Sequence, residues 1–184
     1  MDKPITTRMS ITEYRQLPES NKHQEFIEGE LFVAPAPKDD HQAVSAELLF
    51  VLRSIIGRRG QLRHQPTDLY LAPNVVLQPD IFWVNDENAR CRLGEDGYWH
   101  GAPDLVVEIL SPSTEARDRG LKFELYERHG VGEYWLVQPS AQFVEVFVHD
   151  GAQFQRQGIF DKEKRFISAV LDAEMNVAAF FPPY

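Results

Sequence analysis

The sequence predicts an α/β domain: a mixed β-sheet flanked by helices, with a β-hairpin near the C-terminus. Three observations carry that expectation. Residues 103 to 139 read strand, helix, strand: "PDLVVEIL", then "TEARDRGLKFELYERHG", then "EYWLVQP". Two strands joined through a helix are normally parallel and connected by a right-handed crossover. Residues 39 to 57 repeat apolar side chains at helical spacing. "FVEVFVHDGAQFQRQ" turns at Asp150-Gly151, a dipeptide that favours a tight hairpin.

Taken in order, each element has a local reason. Ser10 followed by Glu13 has capping-box spacing, so a short helix starts there and ends before Pro18. "EFIEGELFV" reads as two short strands joined at Glu28-Gly29. Asp39 or Asp40 caps a helix running to about Gly57, with Val44, Leu48, Val51 and Ile55 along one stripe. "DLYLA" and then "VVLQPDIFWV" read as strands. Residues 85 to 103, polar with a few aromatics, read as a long surface loop. The helix of the strand–helix–strand unit stops at Gly130. After the hairpin, "FISAVLDAEMNVAAFF" has enough apolar side chains to pack back on the body.

Composition narrows the function classes. At 184 residues, with 43% hydrophobic and 26% charged side chains, the chain reads as one globular domain, 1–184, with a real core. No apolar stretch approaches the roughly 20 residues that span a bilayer. "MDKPITTRMSITEY" has no apolar leader segment, so a cytoplasmic location without membrane association is expected. Cys91 is the single cysteine, which excludes an internal disulfide and a multi-cysteine zinc site. The six histidines show no HExxH spacing, and no GxGxxG or GxxxxGK[ST] loop occurs. The net charge of -9 argues against a large nucleic-acid footprint. Yet no acid occurs from Leu48 to Thr67, where Arg53, Arg58, Arg59 and Arg63 all fall. That local basic patch is either a solvated helix end and loop or a set of phosphate contacts.

The chemistry concentrates on acids set among apolar residues. Side chains alternate along a strand, so in "PDLVVEIL" Leu105, Val107 and Ile109 share one face and Asp104, Val106, Glu108 and Leu110 the other. Glu108 therefore sits between Val106 and Leu110. A buried carboxylate there needs a cation, a hydrogen-bond donor or a raised pKa. Asp104 is four residues away, roughly 13 Å along a strand, and reads as a strand cap or an orienting group. The better partner is Asp80. Pro79 before it cannot donate to a ladder, so it marks an edge or a bulge that re-aims Asp80. On neighbouring strands the two acids would face each other with Cβ atoms about 5 Å apart, and a divalent cation would resolve their repulsion. Lys122 follows Asp118 by one helical turn and shares its face. From a helix packed on the sheet, its ammonium could orient a water or neutralise charge on a phosphate.

"QPD", then "PDLVVEILSPST", then "DRGLKFELYERHGVGEYWLVQP" resemble the bacterial Uma-two family of putative restriction endonucleases. That family is similar to the PD-(D/E)xK nuclease superfamily, with its restriction-endonuclease-like mixed sheet and magnesium site. The resemblance runs from about Ile11 to Phe181. It implies that Asp80 matches the motif aspartate and Glu108 the second acid. The superfamily's usual lysine position is Leu110 here, and Lys122 on the following helix matches the family's replacement. Glu25 in "QEFIEGEL" matches a recurrent N-terminal acid, and His41 a recurrent histidine near a helix start.

The expected function is a magnesium-dependent (or manganese-dependent) endonuclease acting on DNA. Asp80 and Glu108 would hold the metal, a metal-bound water would attack phosphorus, and Lys122 would assist, with Glu25, His41 and Asp118 as accessories. Arg53, Arg58, Arg59 and Arg63, and the loop with Arg90 and Arg92, are candidate backbone contacts. A homodimer fits the cutting of two strands. The rival is a non-catalytic nucleic-acid-binding or interaction protein on the same fold. A third reading keeps the metal site for RNA or a small phosphoester.

Overall fold

The computed structural model describes residues 5–18 and 22–183. Part of the N-terminal stretch read for a leader segment, residues 1–4, lies outside them. The chain opens with β1 (Ile5–Arg8), α1 (Ile11–Tyr14), β2 (His23–Ile27) and β3 (Glu30–Ala34). Ser10 and Glu13 close the expected capping box on α1, and β2 pairs antiparallel with β3 around Glu28-Gly29. The long helix α2 (Asp39–Ile56) follows. Its N-cap is Lys38, not Asp39 or Asp40, which occupy the first turn instead. Carboxylates are favourable there because they face the positive end of the helix dipole.

Next come β4 (Gly60–His64), β5 (Leu69–Ala72), β6 (Val75–Leu77), β7 (Ile81–Asn85), β8 (Cys91–Leu93), β9 (Trp99–Gly101) and β10 (Leu105–Ile109). The expected single strand "VVLQPDIFWV" is therefore two. β6 belongs to a seven-stranded sheet, β1-β3-β2-β6-β5-β9-β8, and β7 to a six-stranded one. Pro79, which lacks an N–H, falls in the break. Residues 85 to 103 are not simply a surface loop. They form β8 and β9, and bury Cys91, Trp99 and Ala102. The Asn88 side chain organises the stretch: its amide donates to Ala102 O and Asp104 Oδ2, and its carbonyl accepts from the Arg90 and Cys91 N–H groups. Asp104 also accepts from Asn85 N at 2.7 Å, the strand-capping role expected of it.

Helix α3 (Glu115–Arg117) runs into a π-helical turn, Asp118–Lys122, and then into α4 (Phe123–His129), closed by left-handed Gly130. The strands β11 (Glu133–Gln138), β12 (Phe143–His149), β13 (Phe154–Asp161), β14 (Arg165–Ser168) and β15 (Ala173–Asn176) complete the described residues, with a final 3-10 turn at Val177–Phe180. The six-stranded sheet has the order β13-β12-β11-β10-β7-β4. It is mixed: β10 and β11 are parallel, as the strand–helix–strand reading requires, and the other pairs are antiparallel.

One face of this sheet, with Leu105, Val107, Ile109 and Trp135, packs under α2 and the C-terminal segment that contributes Phe166, Met175 and Phe180. The other face, with Val106, Leu110 and Leu136, packs against α4 and the seven-stranded sheet. The alternation read in "PDLVVEIL" is thus the alternation between two cores, and Glu108 points into the layer between the sheets. No helix among the described residues is long and apolar enough to cross a membrane.

Candidate active site

The site forms where the pairing of β7 with β10 ends. The last paired residues are Val107 and Ile81, so Glu108 and Asp80 follow one step beyond on the two strands. With the chain kinked at Pro79, the Asp80 side chain takes over from the backbone. Its Oδ2 accepts from Ile109 N at 2.6 Å, and its Oδ1 accepts from Gln65 Nε2 at 2.7 Å. His41 Nε2, from the first turns of α2, lies 3.2 Å from Oδ2.

Glu108 is 2% exposed. Both of its hydrogen bonds end on one oxygen: Lys122 Nζ donates to Oε1 at 2.7 Å and Tyr126 Oη at 2.8 Å. Oε2 carries none among the described residues. Lys122 is equally buried and lies within ion-pair distance of Glu108 (2.7 Å), Glu25 (2.9 Å) and Asp118 (3.4 Å). Glu25, in the middle of β2, also meets Arg117 at 3.2 Å and His23 at 3.3 Å. The π turn gives the helix its inward row. Asp118 and Lys122 are both buried, Tyr126 continues the row, and Tyr134 Oη donates to the Asp118 carbonyl. Such turns occur often at functional sites.

The charges are unbalanced. Four buried carboxylates, Glu25, Asp80, Glu108 and Asp118, surround two permanent cations, Lys122 and Arg117. Burial lifts the Glu108 carboxyl well above its ordinary range, and the neighbouring Asp118, Asp80 and Glu25 reinforce the lift against the pull of Lys122. Burial also raises Asp118. Burial opposes charge on Lys122, but Glu108, Glu25 and Asp118 outweigh it and hold the ammonium above its ordinary value. Glu25 is lowered, because Lys122, His23 and Arg117 overcome the cost of burial. His41 is raised: its bond to Asp80 outweighs burial.

Asp80, Glu108, Asp118, Lys122 and His41 line one cavity of about 170 Å³, together with Lys38, Gln65 and the hydroxyl residues Ser111, Ser113 and Thr114. Among the described residues no set of three or more His, Cys, Asp or Glu side chains is gathered as metal ligands. The donor set still suits one kind of ion. Magnesium is commonly held by one or two carboxylates, with water and substrate phosphate filling the remaining positions. Two carboxylates beside open space, one with an oxygen free of hydrogen bonds, meet that requirement.

The structure therefore brings Asp80, Glu108, Lys122, His41 and Asp118 to one cavity, with Glu25 behind Lys122. It keeps the arginines apart. Arg53 and Arg63 line a separate groove. Arg58 is exposed at the end of α2, and Arg59 is tied to the carbonyls of Leu171 and Ile55. Arg90 donates to Gly130 O and Arg92 to Cys91 O. Sequence reasoning missed Tyr126, Gln65 and Arg117. Tyr126 had a signal, since it extends the 118–122 spacing by one more turn. Gln65 and Arg117 had none, because each depends on a tertiary approach.

Comparison with known proteins adds the following. The family model Uma2, described as "Putative restriction endonuclease", matches residues 11–178. An uncharacterized protein of Synechocystis sp. (strain ATCC 27184 / PCC 6803 / Kazusa), slr1290, is 26% identical over 144 residues, spanning 76% of this chain and 74% of the relative. The crystal structure of a protein from Anabaena variabilis ATCC 29413, described as a "putative nuclease belonging to DUF820", superposes with a TM-score of 0.76. The match covers 94% of this chain and 97% of that one at 23% identity. At that identity the likeness establishes a shared fold, the mixed-sheet, restriction-endonuclease-like architecture.

Proposed function

Because the chain belongs to the Uma2 family of restriction-endonuclease-like proteins, we propose that it hydrolyses DNA phosphodiester bonds as a divalent-metal-dependent endonuclease. The observation that carries this reading is the meeting of Asp80, Glu108 and Lys122 in one cavity at the open end of the β7–β10 ladder. Asp80 and Glu108 would hold Mg2+ (or Mn2+). A bound divalent cation supplies Lewis-acid charge that polarises a phosphoryl oxygen and lowers the pKa of water.

The chain's own groups do the rest. Ile109 N and Gln65 fix the Asp80 carboxylate, and Lys122 and Tyr126 together hold Oε1 of Glu108, so Oε2 would be the oxygen available to hold the ion. The Lys122 ammonium, kept protonated by its three carboxylates, is a donor and a positive charge but not a proton acceptor. It is suited to stabilising charge that develops on the phosphate. Asp118 and Glu25 steady Lys122, and His41 steadies Asp80. DNA is the substrate, and a homodimer would present two such cavities to two strands.

The test is a supercoiled-plasmid nicking assay with Mg2+, with Mn2+ and with chelator, on wild type and Asp80→Asn. The expected outcome is metal-dependent nicking that the variant lacks while its circular dichroism spectrum stays native. Metal-independent nicking, or equal nicking by the variant, would remove the metal site from the reading. No nicking, together with nucleic-acid binding that ignores metal, would favour the non-catalytic binder.

A further inference from the structure

A shallow groove of about 600 Å³ lies on the α2–β4 side of the molecule, lined by Leu49, Phe50, Arg53, Gln61, Leu62 and Arg63. Phe50 is 72% exposed, on a helix that buries Val44, Leu48, Leu52 and Ile56 on its inward face. One exposed aromatic is unremarkable on its own. Its surroundings are not. Several arginines elsewhere sit on carboxylates: Arg8 on Glu30, Arg119 on Glu115 and Glu145, Arg128 on Glu28, Arg165 on Glu174. Arg59, Arg90 and Arg92 are turned onto backbone carbonyls instead. The groove's two arginines have no carboxylate either. Arg63 is held by Leu62 O and Gln61 Oε1 and lies over the Trp99 ring at 5.4 Å. The Arg53 guanidinium makes no hydrogen bond or ion pair among the described residues. A protein with 28 acidic residues has left these guanidinium groups without an acidic partner.

The groove is separate from the cavity, but the two elements that line it, α2 and β4, both lead to the cavity wall. β4 pairs with β7, Arg63 opposite Phe82 and His64 opposite Ile81. Two residues after Arg63, about 7 Å along the strand, Gln65 donates to Asp80 Oδ1 at 2.7 Å. At its other flank α2 connects the groove to His41 in the cavity wall.

We infer that this groove carries the nucleic-acid strand into the active site, with Phe50 stacking on a base and Arg53 pairing with a backbone phosphate. The inference rests on the nuclease reading and names the surface that reading lacks. The occupant is fixed by charge and shape together. Guanidinium groups without an acidic partner call for phosphate, and an exposed ring beside them suits the face of an unpaired or unstacked base. A negatively charged protein would then bind its substrate along one narrow basic track.

The test measures binding of fluorescently labelled single-stranded and duplex oligonucleotides by anisotropy, in Ca2+ or without divalent metal so that no cutting occurs. Phe50→Ala should weaken single-strand binding by about 5- to 100-fold. Arg53→Ala should weaken it and reduce the slope of log Kd against log salt by about 0.7, one phosphate contact on a single strand. Arg165→Ala, far along the chain in the C-terminal hairpin, should change neither. If wild type binds and cuts DNA while Phe50→Ala and Arg53→Ala match it in affinity and salt slope, the inference fails and the nuclease reading stands. If wild type binds no nucleic acid of either form, both fail. A Phe50→Ala protein that changes from dimer to monomer with unaltered affinity per protomer would assign the groove to a second copy of the chain and overturn the inference.

Discussion

Glu108 and Glu133 are buried carboxylates on adjacent parallel strands. Their registers are offset by three residues, since Glu133 pairs with Leu105 and Glu108 with Leu136. They therefore point to opposite faces of the six-stranded sheet. Burial raises both carboxyls. The surroundings differ in kind. Glu133 receives neutral donors on both oxygens: Trp135 Nε1 at 2.9 Å, Ser168 Oγ at 2.8 Å and Val170 N at 3.1 Å. It fastens the C-terminal hairpin to the central sheet. Glu108 instead shares Lys122 with two more acids, faces a third across the open ladder, and borders a cavity. An acid in an apolar run is thus not in itself the mark of a site. What marks one is negative charge in excess of its partners, beside space for another group.

The largest expected effect separates the two acids by activity. Glu108→Gln should lower metal-dependent cleavage by about 10⁴-fold, roughly 5 kcal/mol of barrier, with a native spectrum. Glu133→Gln should leave the rate within about threefold. It should instead cost about 1–3 kcal/mol of stability, because the new amide turns a donor toward donors. Single-turnover cleavage and urea unfolding of both variants check this. A Glu133→Gln enzyme that folds normally and has lost activity would erase the distinction.

Removing the shared cation should give the next largest effect. Lys122→Met leaves Glu25, Glu108 and Asp118 buried without their common ammonium, a loss of about 3–5 kcal/mol. The corresponding deletion around Glu133, Ser168→Ala, removes one neutral hydrogen bond and should cost about 1 kcal/mol. Urea midpoints measured in the same buffer would break the comparison if that order were reversed.

The sequence carried the strand alternation that sorts Glu108 from its neighbours, the capping box of α1, the hairpin at Asp150-Gly151 and the strand–helix–strand unit. Each of these is written in local period or turn chemistry. It did not carry the division of "VVLQPDIFWV" between two sheets, because Pro79 reports a break in the ladder and not where the next strand goes. Nor did it carry the burial of Cys91 and Trp99, whose short strands have no run long enough to show a period. The same limit applies to the site. Periodicity flagged Glu108 and passed over Glu133, though both interrupt apolar runs, because only the tertiary neighbours tell a clasp from a charge cluster.

Tyr126 tests whether the cluster is organised for an ion, and its effect should be smaller. Tyr126→Phe deletes only the hydroxyl on Glu108 Oε1 and keeps the packed ring. Groups that orient a metal ligand commonly contribute 10- to 100-fold in affinity. Mn2+ titration by calorimetry should therefore show about tenfold weaker binding. Unchanged affinity would mean that Lys122 alone orients Glu108.

The smallest effect is a pH dependence belonging to the clasp alone. Burial holds the Glu133 carboxyl above its ordinary 4.5, more than the hydrogen bonds from Trp135, Val170 and Ser168 take back. Below 4.5 both the folded and the unfolded protein carry that proton, and the contribution to stability is fully present. Between 4.5 and the raised value the folded protein keeps a proton that the unfolded chain has released. Stability must then fall as pH rises, since the unfolded state binds fewer protons. Glu133→Gln has nothing to titrate, so the stability difference between wild type and variant should shrink as pH climbs above 4.5. Unfolding free energies of the pair from pH 4 upward read this difference directly, and the acids of the cavity, common to both proteins, cancel. A difference that grows with pH would mean that the donors around Glu133 favour its charged form, which would make the clasp an anion site and bring it closer in kind to Glu108.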